Sequence, residues 1–122
     1  MYYKLATEAA KWWIKQMKQR YQQIFHTKTS GFGSNIVILD TTLAEKFCIF
    51  EELLRNNIQE NLEKYHYFHT GCCYYPNDLL VKLAEEADIS TSYFPIHAQL
   101  TIAKNSIHVS VGYEDLYKLN IN

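Results

Sequence analysis

Breakers and sulfur are scarce in this chain, which has four glycines, two prolines and three cysteines in 122 residues. So little glycine and proline excludes collagen-like and low-complexity architectures. Three cysteines, an odd number, cannot form a complete disulfide framework. With no basic start leading into an apolar run and a small-residue cleavage site, they set the expectation of a reducing, cytoplasmic setting. No apolar run approaches the roughly 20 residues that a bilayer-crossing helix needs, so no membrane partner is expected. The chain also lacks the spacing of a P-loop, of a paired CxxC zinc site or of a catalytic triad. Charged residues make up only 20%, with a net charge of -1, which argues against generic nucleic-acid binding.

What is abundant is aromatic surface: ten tyrosines, six phenylalanines and two tryptophans. Tyrosine couples a large apolar ring to a polar tip and is favoured where a partner will cover a surface. Charge is also unevenly placed. Residues 1–30 hold Lys4, Lys11, Lys15, Lys18, Arg20 and Lys28 against Glu8, while the rest carries twelve acids against six bases. A basic N-terminal segment is therefore joined to an acidic body.

The length suits one domain, 1–122, able to bury a core without staples. Residues 5–26 read as an amphipathic helix, with Ala10, Trp13, Ile14, Met17, Tyr21, Ile24 and Phe25 at helical spacing. After a Ser/Thr/Gly-rich loop, Asn35-Ile36-Val37-Ile38-Leu39 reads as a short buried strand. Thr42 and Glu45 match a capping box, and Leu43, Phe47, Phe50, Leu54, Ile58, Leu62 and Tyr65 continue as one stripe of a long helix. The aromatic His/Cys stretch from Tyr65 to Pro76 reads as a loop. Asn77 then caps a shorter helix that buries Leu80, Leu83, Ala84 and Ala87 and ends near Asp88. Two alternating runs, around Leu100 and Val109, form a hairpin. Parity requires Ile102 opposite Ile107 across a two-residue turn at Lys104-Asn105, with Thr101 and His108 on the other face. The expected fold is α+β: three main helices on a small, three-stranded antiparallel sheet with a C-terminal hairpin.

The aromatic stretch is the leading site. Tyr67, Phe68, Tyr74 and Tyr75 are the expected hydrophobic anchors for a partner, and Glu51, Glu52, Glu60 and Glu63 the steering charges. His66, His69, Cys72 and Cys73 have the chemistry of zinc ligands. Adjacent cysteines seldom serve one ion, however, so no metal or other cofactor is expected. A thiol nucleophile assembled from Cys72 or Cys73 with His97 or His108 lacks any spacing that fixes its geometry, and the protein is not expected to be an enzyme. The glycines at Gly31 and Gly33 precede a strand instead of following one, the wrong topology for a phosphate loop. The alternative function is nucleic-acid binding, with Lys11, Lys15 and Lys18 along the backbone and Trp12 stacking on a base.

Tyr75-Pro76, the run Leu80, Leu83, Ala84, Ala87, Asp88-Ile89, then Phe94-Pro95, Val109-Ser110-Val111 and Gly112-Tyr113 resemble small orphan proteins of phages and conjugative elements of Gram-positive bacteria. Trp12-Trp13 in an N-terminal helix fits the same group. No catalytic motif is carried over. The resemblance implies a counter-defence factor of the anti-CRISPR kind, which blocks a host CRISPR effector by occupying its surface. The chain departs from the group at Glu114 and in its aromatic stretch. A non-enzymatic inhibitor acting by protein–protein interaction on a host protein is the resulting expectation, with a homodimer burying the tyrosines as a further one.

Overall fold

The computed structural model describes residues 2–25 and 41–120. Helix α1 spans Tyr3–Phe25 and α2 spans Thr41–Tyr65. Strand β1, Tyr67–Cys73, leads to α3, Asp78–Ala87, and a short 3-10 turn at Thr91–Tyr93. Strands β2, His97–Ala103, β3, Ser106–Val111, and β4, Tyr117–Lys118, complete the chain. The α+β class is as expected. The sheet, however, has four antiparallel strands in the order β1-β2-β3-β4, where three were expected. The strand read at 35–39 lies outside the described residues.

The added strands are β1 and β4. The stretch read as a loop is β1, a strand at the edge of the sheet, with Phe68, Thr70 and Cys72 buried and Tyr67, His69 and Cys73 outward. Its period of two was hidden because two of its three inward residues are Thr and Cys. Thr70 is fully buried, and its hydroxyl is satisfied by donating to Asn77 Oδ1 at 2.8 Å. Asn77 is the residue before α3, as expected, but its side chain serves this bond and does not cap the helix.

The hairpin register is the one parity requires: Ile102 faces Ile107 and Leu100 faces Val109, while Thr101 pairs with His108 on the outer face. Pairing with β1 extends these pairs into rows. Phe68, Ile102 and Ile107 form one row, Thr70, Leu100 and Val109 the next, and Cys72, Ala98 and Val111 the third. These rows make the inner face of the sheet. Helix α2 packs on α1, α3 and β1, and α1 reaches β3 and the 3-10 turn.

Aromatic rings lock the layers together. Phe94 lies edge-on to Trp13 of α1 at 6.3 Å and to Phe50 of α2 at 5.7 Å. All three rings are buried. Burial of such a side chain contributes roughly 1.5–3 kcal/mol. The apolar stripe of α1 is buried through Met17, but Ile24 is exposed. At the far end of α2, Tyr65 also turns out to be exposed, because the helix stops there. His66 takes a left-handed φ of 57° while its amide donates to Leu62 O. A hydrogen bond of 2.8 Å between His66 Nδ1 and the Tyr2 hydroxyl holds that exit. Thr42 sits inside the first turn of α2, so it is not the cap that was expected.

No described helix is long and apolar enough to cross a membrane. Ion pairs join Lys11 to Glu8, Lys46 to Asp88 and Lys64 to Glu60; among the described residues none links the bases of α1 to the acids of α2.

The β2–β3 turn generates a stability test. Lys104 and Asn105 both have left-handed φ, 52° and 61°, as a two-residue turn of the mirror-image type demands. Asparagine visits this region more readily than lysine. Lys104→Asn should therefore raise unfolding stability by about 0.5–1 kcal/mol in urea titration; a decrease would show that the turn holds its shape for another reason.

Candidate binding site at the aromatic end of the sheet

The end of the sheet where β1 finishes, β2 begins and β3 finishes collects exposed rings. After Cys73 the chain reverses within a few residues: Cys73 N donates to Tyr75 O, Tyr74 N to Ile96 O, and Asn77 N to Gly71 O. Tyr74 has a left-handed φ of 64°. A bulky residue in that region is strained unless its surroundings fix it, and the three backbone bonds do so. The reversal drives Tyr74 and Tyr75 outward, with 74% and 60% of their surface exposed.

On the other side, Gly112 has a left-handed φ of 67° and donates its amide to His97 O at 2.8 Å. This turn brings Tyr113 over His97. The His97 ring lies between two tyrosines, 4.6 Å from Tyr74 and 4.7 Å from Tyr113 by ring centres. The Tyr113 hydroxyl is 3.1 Å from His97 Nε2. Hydrogen bonding with Tyr74 is the main cause that holds the Tyr113 phenol above its ordinary pKa. The Tyr113 ring is nonetheless 85% exposed.

A shallow depression of about 400 Å³ runs from this cluster onto the outer face of the sheet, past Cys73, Tyr75, Gln99 and His69. Gly71 lies in its floor, where an added Cβ would come within 3.1 Å of Ala98 O.

The residues singled out from sequence divide clearly. Tyr74 and Tyr75 belong to the cluster, and Tyr67 is exposed at the opposite end of β1. Phe68 is only 4% exposed because it heads the first inner row of the sheet; it is not a surface anchor. Glu52, Glu60 and Glu63 are exposed on α2 and Glu51 is half-buried. Lys11, Lys15 and Lys18 line one groove of about 630 Å³, together with Glu51. Trp12, expected to stack on a base, is instead buried against Trp13 at 5.0 Å.

His66, His69, Cys72 and Cys73 are not brought together, since the strand sends Cys72 inward and Cys73 outward and His66 is engaged with Tyr2. His69 Nδ1 bonds instead to Thr101 Oγ1 at 2.8 Å. Among the described residues no three His, Cys, Asp or Glu side chains converge as a metal-binding group. Of the thiol and imidazole combinations, only Cys73 and His97 are direct cross-strand partners. Burial pushes the Cys72 thiol up to about 12, far from a nucleophile's range.

His97 as the centre of the cluster, and Tyr113 beside it, were missed as binding residues. The available signal was Gly112-Tyr113 directly after a strand, a glycine turn that can fold the next side chain back over the sheet. No protein-family model and no curated protein matches the chain. The chemistry of the site therefore carries the functional reading.

The thiol environments yield a paired test. Cys48 and Cys73 are exposed and should react with maleimide in the folded protein, whereas buried Cys72 should react only on unfolding. The folded pKa of Cys72 is raised from 9.0 to about 12, so the stability it contributes is present below pH 9.0 and lost as pH rises toward 12. Cys72→Ala should flatten stability against pH in that window, read by urea unfolding; an unchanged slope would mean that the thiol is accessible.

Proposed function

We propose that the protein is a non-enzymatic binding protein that occupies the surface of a host macromolecule and blocks it, as a counter-defence factor of a phage or mobile element would. A host protein in the bacterial cytoplasm is the partner, and a CRISPR effector complex is the specific one that the sequence resemblance implies. The observation that carries this reading is the cluster of Tyr74, Tyr75 and Tyr113, whose rings are highly exposed although the backbone beneath them is tied by hydrogen bonds. Ile96, 46% exposed, lies next to His97 at the head of β2 and adds apolar surface.

Exposed rings on a fixed backbone lose little conformational freedom on binding, which is how aromatic anchors reach high affinity. The exposed Glu52, Glu60 and Glu63 on α2, unpaired with the bases of α1, support electrostatic steering toward a basic surface. Nucleic-acid binding through Lys11, Lys15 and Lys18 has less support. Trp12 is buried, and Glu51 shares their groove.

Affinity capture from host lysate, with and without nuclease, tests the reading. A near-stoichiometric protein partner should survive nuclease. Tyr74→Ala and Tyr75→Ala should each weaken it by about 2 kcal/mol or more while circular dichroism stays unchanged. Retention of nuclease-sensitive material alone, or full affinity in both variants, would defeat the proposal.

A further inference from the structure

Between α1 and the aromatic end of the sheet runs a second groove, of about 470 Å³. One wall is Gln16, Gln19, Arg20 and Gln23 of α1, residues whose spacing puts them on one helix face. Tyr74, Ile96 and Tyr113 contribute to the other wall. No carboxylate lines it.

Buried side-chain nitrogens without a partner occur at Trp13, Arg20 and Arg55 among the described residues, and Arg20 is the one that lines this groove. Its Nε is buried without a hydrogen-bond acceptor, and among the described residues Arg20 forms no ion pair. A guanidinium is always charged and presents its donors in a planar fork suited to a carboxylate. Leaving such a donor buried and unmatched is costly, so the groove is short of one acceptor. The three glutamines, whose side chains make no hydrogen bond among the described residues, each offer an amide donor and acceptor, the pair of groups that a peptide backbone needs.

We propose that this groove receives an extended segment of the protein partner, with an Asp or Glu side chain seated on Arg20, the glutamines addressing its backbone and the Tyr74–Ile96–Tyr113 wall its apolar side chains. The inference rests on the binding reading above and names the partner's chemistry at that site. The groove is open, so a chain passing through it fits better than one ending in it, which selects a side-chain carboxylate over a C-terminal one. A nucleic-acid backbone would engage only this one arginine on the α1 wall, too few cations for a phosphate track.

The test uses the whole protein and a set of N-acetylated, C-amidated octapeptides with a central Glu flanked by apolar and aromatic residues. A matched set carries Gln at the centre, and a third carries the Glu set's flanks with a free C-terminus and no Glu. Isotope-edited NMR reads the Arg20 Nε–H and the side-chain amides of Gln16, Gln19 and Gln23. The Glu set should shift all four and bind about tenfold or more tightly than the Gln set, with the preference weakened by salt. Arg20→Gln should abolish the preference and Arg20→Lys keep part of it, with the hairpin amide resonances unchanged in both. Equal binding of the Glu and Gln sets, stronger binding of the free C-terminus, tighter binding of octathymidylate than of any peptide, or no shift at millimolar peptide would each overturn the proposal. If Tyr74→Ala releases the host partner and Arg20→Gln does not, the acidic-segment inference fails and the binding reading stands; if neither does, both fail.

Discussion

Successive side chains of a strand point to opposite faces, and in this protein that alternation decides what is core and what is surface. The rows Phe68–Ile102–Ile107, Thr70–Leu100–Val109 and Cys72–Ala98–Val111 all face the helices. A slip of one residue in β2 would turn its own members of the rows, Ala98, Leu100 and Ile102, outward and bring His97, Gln99 and Thr101 to the inner face. The helices follow from this choice. Trp13 and Phe50 meet over Phe94, so α1, α2 and the segment leading into β2 are fixed by one aromatic junction. Once the inner face is set, the outer face and its tyrosines have nowhere else to go.

Legibility in the sequence tracked how cleanly each residue type announces its side. The hairpin was readable down to its register, because Leu100, Ile102, Ile107 and Val109 alternate with polar residues and the two-residue turn leaves one pairing that keeps them together. Helix α3 was readable for the same reason, with Leu80, Leu83, Ala84 and Ala87 buried as spaced. Strand β1 was not. Its inward set includes Thr70, whose burial is permitted only by a partner seven residues on, the Asn77 carboxamide. No local pattern records such a bond. Strand β4 is two residues long, and it is held by pairing with β3 and by the Leu119 amide on Ile107 O. Trp12 misled for the opposite reason: α1 is buried over a wide arc that takes in Ala9, Ala10, Trp12, Trp13 and Ile14, and a stripe drawn at strict helical spacing is narrower than that.

The site was half legible. Tyr74 and Tyr75 stood out by composition and are exposed, but Phe68, chosen on the same ground, belongs to the core. Composition cannot separate them, since parity within the strand assigns Phe68 inward and the reversal after Cys73 throws the tyrosines outward. His97 and Tyr113 reach Tyr74 through sheet topology, across strand ends far apart in sequence. Arg20 enters the same region from the first helix, and no linear motif joins these four residues.

The backbone at Tyr74 bears on why a tyrosine stands there at all. A left-handed φ of 64° is a conformation that glycine adopts without strain and that costs other L-residues roughly 1–2 kcal/mol. The chain uses glycine where this freedom suffices, at Gly112, but keeps a large ring at position 74. The contact with His97 at 4.6 Å offsets part of the strain, since aromatic pairs contribute about 0.5–1.5 kcal/mol beyond burial. The backbone bonds from Cys73 N to Tyr75 O and from Tyr74 N to Ile96 O hold the turn as well, while most of the ring still faces solvent. The same end of the sheet holds the buried, unpartnered Nε of Arg20 in the adjoining groove, so an exposed ring on a fixed backbone and an unmatched donor stand side by side there. Left-handed backbone and unpartnered donors also occur elsewhere, at Lys104, Asn105 and Arg55 Nε, but Tyr74 and Arg20 share one groove, and a segment seated there, as proposed, would cover both.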